Sequence, residues 1–296
     1  MRSIPSKYKA ILLIIASAFC FACMNACVRA AGDLPATQKS FFRNLVALVV
    51  AFVMFLPERK GFRLPKGTFL PLLARAGFGT VGILCNYYAI DHLVLSDASM
   101  LNKMSPFFTI VFSWLILKEK LRPVQGLAVL TAFAGSLLIV KPSLDFSDFK
   151  GSFAGLCGGI AAGAAYAMVR LLGTRGVKGK FIVLFFSGFS CLCMLPFLLF
   201  DFHPMTLWQL LALLGAGVAG AGGQFTITAA YCHAPAKEIS VYDYSQIIFA
   251  TALGLVFFSE VPDGWSFLGY GIILAAAVGM FYYNNFYLER SSHKSQ

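Results

Sequence analysis

The sequence predicts an all-α integral membrane protein, with ten transmembrane helices arranged as two inverted five-helix repeats. Three observations predict it. Hydrophobic residues make up 58% of the 296-residue chain and charged residues only 12%, about half the charged share of a soluble domain. Apolar runs of the roughly 20 residues needed to span a bilayer recur along the whole chain. Landmarks in the first half return in the second at a spacing of 141 positions.

The apolar runs cover residues 8–30, 37–56, 69–90, 96–117, 123–140, 151–172, 179–200, 205–231, 237–258 and 265–287. Arg2, Lys7 and Lys9 precede the first run as they would a secretory signal. That run exceeds the roughly 7–15 apolar residues of a signal core, and its ending reappears in the sixth run, so it reads as a structural span. The ending is NACVRAAG at Asn25–Gly32 and YAMVRLLG at Tyr166–Gly173, which sets Arg170 141 positions after Arg29. After the fourth and ninth runs, Glu119 in LKEKLRP and Glu260 in FSEVPDG keep the same spacing. Between them, LLARAGFGTVG at Leu72–Gly82 resembles LLALLGAGVAG at Leu210–Gly220 with an offset of 138, which sets Asn86 opposite Gln224.

These landmarks divide the chain into residues 1–145, with spans one to five, and 146–296, with spans six to ten and a short cytoplasmic tail. Five is odd, so two copies in series insert with opposite orientation. An inverted repeat of this kind has its pseudo-two-fold axis in the membrane plane and a substrate site near mid-membrane at the repeat interface.

The net charge of +11 is explained by its distribution. With a cytoplasmic amino terminus, most of the 24 Lys and Arg fall at cytoplasmic ends: Arg2, Lys7 and Lys9, then Arg59, Lys60, Arg63 and Lys66, then Lys118, Lys120 and Arg122. Arg170, Arg175, Lys178, Lys180, Lys237, Arg290 and Lys294 continue the pattern. The positive-inside rule therefore puts both termini in the cytoplasm of a multi-pass protein in the cytoplasmic (inner or plasma) membrane, with no nucleic-acid partner. The eight cysteines include a CxxC at Cys20 and Cys23. They sit in apolar spans with no second CxxC or nearby histidine to complete a zinc shell, so they read as packing residues, and neither a metal nor a cofactor is expected.

Ionisable groups inside a membrane are costly and face partners or a wet cavity. Arg43 lies about 9 Å into the second span at 1.5 Å per residue; it either snorkels to the headgroups or binds an anion. Lys103 sits in the fourth span beside Ser99, Asn102, Pro106, Thr109 and Ser113, whose spacing gives one polar helix stripe. Pro106 frees a backbone carbonyl on that stripe for water or substrate. The ninth span carries Asp243, Tyr244, Ser245 and Gln246, and the 141-residue offset maps Tyr244 onto Lys103 and Asp243 onto Asn102. Asp243 can pair with a basic side chain such as Arg170 or Lys103, and is the candidate for proton coupling or amine binding, with a purely structural ion pair as the alternative. Gly151, Gly155, Gly159 and Gly163 recur every four residues in the sixth span, a spacing that lets helix backbones approach closely.

The sequence resembles the drug/metabolite transporter superfamily and, within it, the EamA-type transporters. The resemblance rests on FFRN in the second span, NYYAIDHLVLSDASMLNKMSPFF across spans three and four, the glutamate of LKEKL, and VYDYSQIIFATALGLVFFSEVP in the ninth. The last stretch looks like the branch that includes bacterial S-adenosylmethionine uptake proteins and some animal solute carriers. The resemblance implies ten helices in two repeats and a cavity-facing aromatic–arginine pair at Arg43. It also implies a central cavity surrounded by spans one, three, six and eight together with four and nine. That places Asn25, Asn86, Tyr87, Tyr166, Gln224 and Tyr231 near substrate, with Arg43, Lys103, Tyr244 and Gln246.

The expected function is a secondary active transporter that moves a small organic metabolite by alternating access: an amino acid, an amino-acid derivative such as S-adenosylmethionine, or an organic acid. Export of drug-like or aromatic amines is the alternative reading; a channel or a membrane enzyme ranks below it. For an enzyme, the chain lacks a His-rich cluster and a nucleophile with its base. GTRGVKGK at Gly173–Lys180 fails the phosphate-loop pattern because Thr174 stands at its first glycine. The expected partners are the small-molecule substrate, membrane lipids and a proton or counter-substrate, with a homodimer allowed.

Overall fold

The computed structural model describes residues 6–58, 62–92, 101–119, 122–140, 149–258 and 264–283. Among them every regular element is helical: α1 (Ser6–Ala30), α2 (Ala36–Phe55), α3 (Phe69–His92), α4 (Ser105–Leu117), α5 (Pro123–Val140) and α6 (Phe149–Thr174). The second half supplies α7 (Gly179–Phe200), α8 (Leu207–His233), the single turn α9 (Ala236–Ile239), α10 (Ser245–Phe258) and α11 (Gly264–Tyr282), with 3-10 turns at Leu56–Glu58 and Ser240–Tyr244. Among the described residues seven helical stretches are long and apolar enough to cross a membrane, and Ser105–Leu117, Pro123–Gly135 and Phe267–Tyr282 are shorter apolar helices. Large apolar side chains remain on the outside, with Phe200 92%, Leu70 74% and Val256 72% exposed. Such a surface suits hydrocarbon, where helices satisfy their own backbone groups.

The main packings run between the two halves of the chain: α1 with α8, α3 with α6, α4 with α6, α1 with α10, α2 with α8 and α3 with α7. Each has its mate. Exchanging the halves turns α1·α8 into α6·α3, α4·α6 into α10·α1, and α2·α8 into α7·α3, while α2·α7 and α5·α11 map onto themselves. Two mixed bundles result, one of α1, α2, α8 and α10 and the other of α3, α4, α6 and α7. One packing breaks the symmetry. α6 packs against α8, while its mate, α1 against α3, has no comparable packing among the described residues.

Glycines set the closest approaches. A Cβ on Gly82 of α3 would lie 3.4 Å from the Gly158 carbonyl oxygen of α6 and 3.2 Å from the Ala162 nitrogen. In the other bundle, the Ser17 hydroxyl donates to the Gly223 carbonyl at 2.9 Å, and a Cβ on Gly223 would meet the Phe21 ring at 2.7 Å. Ser17, Phe21 and Gly223 stand 141 positions from Gly158, Ala162 and Gly82. These contacts keep the 141 register through α3 and α8, in place of the offset of 138 expected there, and Asn86 and Gln224 are not mates. The four-residue glycine stripe of α6 takes α4 at equal closeness, a Cβ on Gly163 falling 2.5 Å from the Phe108 Cβ.

Two expected continuous spans are broken. The fourth turns at Lys103–Met104 before α4 begins at Ser105 with Pro106 in its first turn. There the proline's missing N–H costs nothing, whereas in a helix interior its ring would clash with the preceding turn. The ninth breaks into α9, the 3-10 turn and α10. The two breaks meet each other, as discontinuous helices do at the centre of inverted-repeat transporters.

Candidate functional site

A cavity of about 700 Å³ lies between the two bundles, within the size range of small-molecule sites. Its lining runs from Lys103, Tyr166 and Asp243 to Gly32, Asp33 and Lys39 at the α1–α2 connection, so it opens on that face. The opposite end is shut where α6 meets α8. Tyr166 stacks on Tyr231 with ring centroids 5.2 Å apart, and a Cβ on Gly173 would come within 2.8 Å of the Cys232 Cα. The unpacked mate, α1 against α3, is what leaves the first face open.

Arg43, Lys103, Asn25, Asn86, Tyr87, Tyr166, Gln224, Gln246 and Asp243 all line the cavity. Tyr244 does not. It is 0% exposed, and its hydroxyl donates to the Lys103 carbonyl at 3.0 Å, so it holds the broken fourth span from behind. Tyr231 is also packed, its hydroxyl 3.4 Å from that of Ser240. The polar stripe of the fourth span divides: Asn102, Lys103 and Ser105 line the cavity, while Thr109 donates to the Ser105 carbonyl at 2.7 Å inside the packing. Ser99 and Glu260 lie outside the described residues.

At the centre the Lys103 ammonium donates to Gln246 Oε1 at 2.7 Å and to Asp243 Oδ2 at 3.3 Å, and lies 3.4 Å from the Asp243 carbonyl. Both side chains of the ion pair are nearly buried, at 7% and 8% exposure. A buried charge without a partner is strongly unfavourable, so the pair places opposite formal charges side by side where two helices break. Of the basic side chains considered for Asp243, the fold brings Lys103 to it. Arg170 instead meets Glu119 at 3.1 Å, joining α6 to the end of α4, and Arg29 stands on the cavity rim.

Arg75, one of the lining residues, was not singled out from the sequence. It is 2% exposed and sits over the Phe186 ring, 4.1 Å from its centroid. An arginine six residues inside an apolar span is the same signal that marked Arg43, but here it stood in a stretch used only as a repeat marker. Among the described residues no group of three His, Cys, Asp or Glu gathers to hold a metal.

The chain matches the EamA-like transporter family over residues 8–141 and 150–282. It is 34% identical over 272 residues to the pseudopaline exporter CntI of Pseudomonas aeruginosa, covering 91% of this chain and 95% of that protein. Human solute carrier family 35 member G1 is 27% identical over 288 residues, covering 89% of this chain and 76% of that protein. A solved crystal structure superposes with a TM-score of 0.81 at 15% identity, over 92% of this chain and 96% of the other, and shares the fold. The chain is a multi-pass membrane protein of the EamA-like transporter family.

Proposed function

We propose that the protein is a secondary active transporter of the cytoplasmic membrane that carries a small carboxylated metabolite, an amino acid, amino-acid derivative or organic acid, by alternating access. The observation that carries this reading is the Lys103–Asp243 pair, set where two broken helices from opposite repeats meet at the end of a one-sided cavity. Excess cation favours an anionic solute: Arg29, Lys39, Arg43, Arg75 and Lys103 line the cavity against Asp33 and Asp243. With both termini cytoplasmic, as the charge distribution implies, the open face is external. The relative named as a pseudopaline exporter supports a polar organic metabolite as cargo and efflux as its direction.

In the alternate state α1 closes on α3 and α6 parts from α8, and the bundles rock about the self-mated contact α2·α7 between them. The repeats 1–145 and 146–296 thus each contribute to both moving bodies. Asp243 carries the coupling proton: protonation releases Lys103 to substrate. The test is counterflow in proteoliposomes, in which trapped unlabelled solute drives uptake of labelled solute. Saturable counterflow supports a carrier; flux without saturation or counterflow makes the protein a pore and rejects the proposal.

A further inference from the structure

Two buried cations on the cavity wall, Arg43 and Arg75, have no counter-ion among the described residues. Lys103 is neutralised by Asp243, whereas neither Arg43 nor Arg75 forms a salt bridge among the described residues. Arg43, 6% exposed, places Nε 3.1 Å from the Met24 sulfur and Nη1 3.4 Å from Asn44 Oδ1, both weak substitutes for an oxyanion. Arg75 is less satisfied still. Its Nε and Nη1 are buried with no hydrogen-bond partner, and the Phe186 ring is the neighbour that offsets its charge.

Both side chains lie in slots made by glycine. A Cβ on Gly79, one turn along α3, would collide with Arg75 Nη1 and come within 2.7 Å of the Phe186 ring. A Cβ on Gly220 of α8 would lie 3.1 Å from Arg43 Nε. The repeat does not require these cations, since the positions 141 residues on are Leu184 and Ala216. Packing is symmetric there and charge is not. A buried guanidinium with unpaired donors weakens the empty protein and is retained where a ligand supplies the missing acceptors.

The geometry points to a substrate with two anionic groups, one received by Arg43 on α2 and the other by Arg75 on α3. α2 belongs to one bundle and α3 to the other, so a dianion ties the bundles together and favours closure, while a monoanion leaves one guanidinium unpaired. The guanidinium fork accepts carboxylate or phosphate in the same bidentate geometry. This inference rests on the transport reading for the identity of the cavity, but its test is a binding measurement that needs no transport.

The experiment is a thermal-shift titration of the purified full-length protein in detergent with succinate, glutarate, adipate and pimelate. Each is set against the monoacid of equal chain length, and 3-phosphoglycerate forms a phosphate arm. The wild type is expected to be stabilised by a dianion of matching length at concentrations where its monoacid gives no shift. Arg75→Met is expected to weaken that dianion by about tenfold or more while leaving the unliganded melting temperature equal or higher. Gly79→Ala, which displaces the guanidinium without removing charge, is expected to weaken the dianion in the same way, with some loss of unliganded stability from overpacking, and Arg75→Lys to recover part of the preference.

A dianion preference that survives in both Arg75→Met and Gly79→Ala overturns the inference, as does a wild type that no dianion stabilises beyond its monoacid. A lower melting temperature for unliganded Arg75→Met with unchanged dianion binding assigns Arg75 a packing role and overturns it equally. Response to 3-phosphoglycerate alone assigns one of the two anions as phosphate. Loss of counterflow for every anion would remove the transport reading while leaving the binding result standing.

Discussion

The hydroxyl of Tyr244 donates to the main-chain carbonyl of Lys103 across 3.0 Å, and the two residues hold equivalent positions, 141 apart, in the two repeats. Mates that touch each other lie on the pseudo-two-fold axis. The axis therefore passes between the two helix breaks, and the Lys103–Asp243 ion pair lies beside it.

The pair should be separable into stability and transport. Lys103→Ala or Asp243→Asn alone leaves a buried, poorly compensated group, and breaking a buried pair costs about 3–5 kcal/mol. Each variant is expected to insert in the membrane but to melt earlier and transport poorly. The double variant Lys103→Met, Asp243→Asn is expected to regain most of the thermal stability without regaining transport. Wild-type counterflow in the double variant would remove the pair from the mechanism.

Tyr244 supports Lys103 rather than facing the cavity. Tyr244→Phe leaves the Lys103 carbonyl without this donor, at about 1–3 kcal/mol, and should lower the melting temperature and the transport rate together while leaving the solute preference unchanged. A changed preference would put Tyr244 in contact with the solute.

Gly163 is fixed by the α4 backbone: a Cβ there falls 2.5 Å from the Phe108 Cβ and 2.9 Å from the Thr109 nitrogen. Gly163→Ala is expected to lose about 1–3 kcal/mol by overpacking. Gly271→Ala, with nothing within 4 Å of the new Cβ, should stay within about 0.5 kcal/mol of wild type. Equal melting temperatures for the two variants would refute the close α4–α6 approach.

The spans were legible because hydrophobic length is a local property of the chain, and the inverted repeat because arginine and glutamate stand out against apolar sequence. The exact register of α3 on α8 was not, since alanine- and glycine-rich segments match themselves at several offsets. The break at Lys103–Met104 left a trace in Pro106, whereas Ser240–Tyr244 contains no glycine or proline to announce a 3-10 turn. That turn is set by tertiary contacts, with Tyr244 anchored on Lys103 and Tyr231 beside Ser240. Sequence offered Asp243 a basic partner such as Arg170 or Lys103, and the meeting of the breaks selects Lys103. Arg75 carried its own signal but none about Phe186 or Gly79, which three-dimensional packing alone brings to it.

In the proposed transport cycle equivalent helix pairs exchange roles, with α6·α8 shut while α1·α3 is open and the reverse in the alternate state. Spin labels at exposed, equivalent positions test it most directly: Asp33 with His92 across α1 and α3, and Thr174 with His233 across α6 and α8. Pulsed electron resonance should find the first pair farther apart than the second in the unliganded protein. Adding transported solute should populate a second state in which the first distance shortens and the second lengthens. Two distances that stay fixed through turnover, or that change in the same sense, would rule out this exchange.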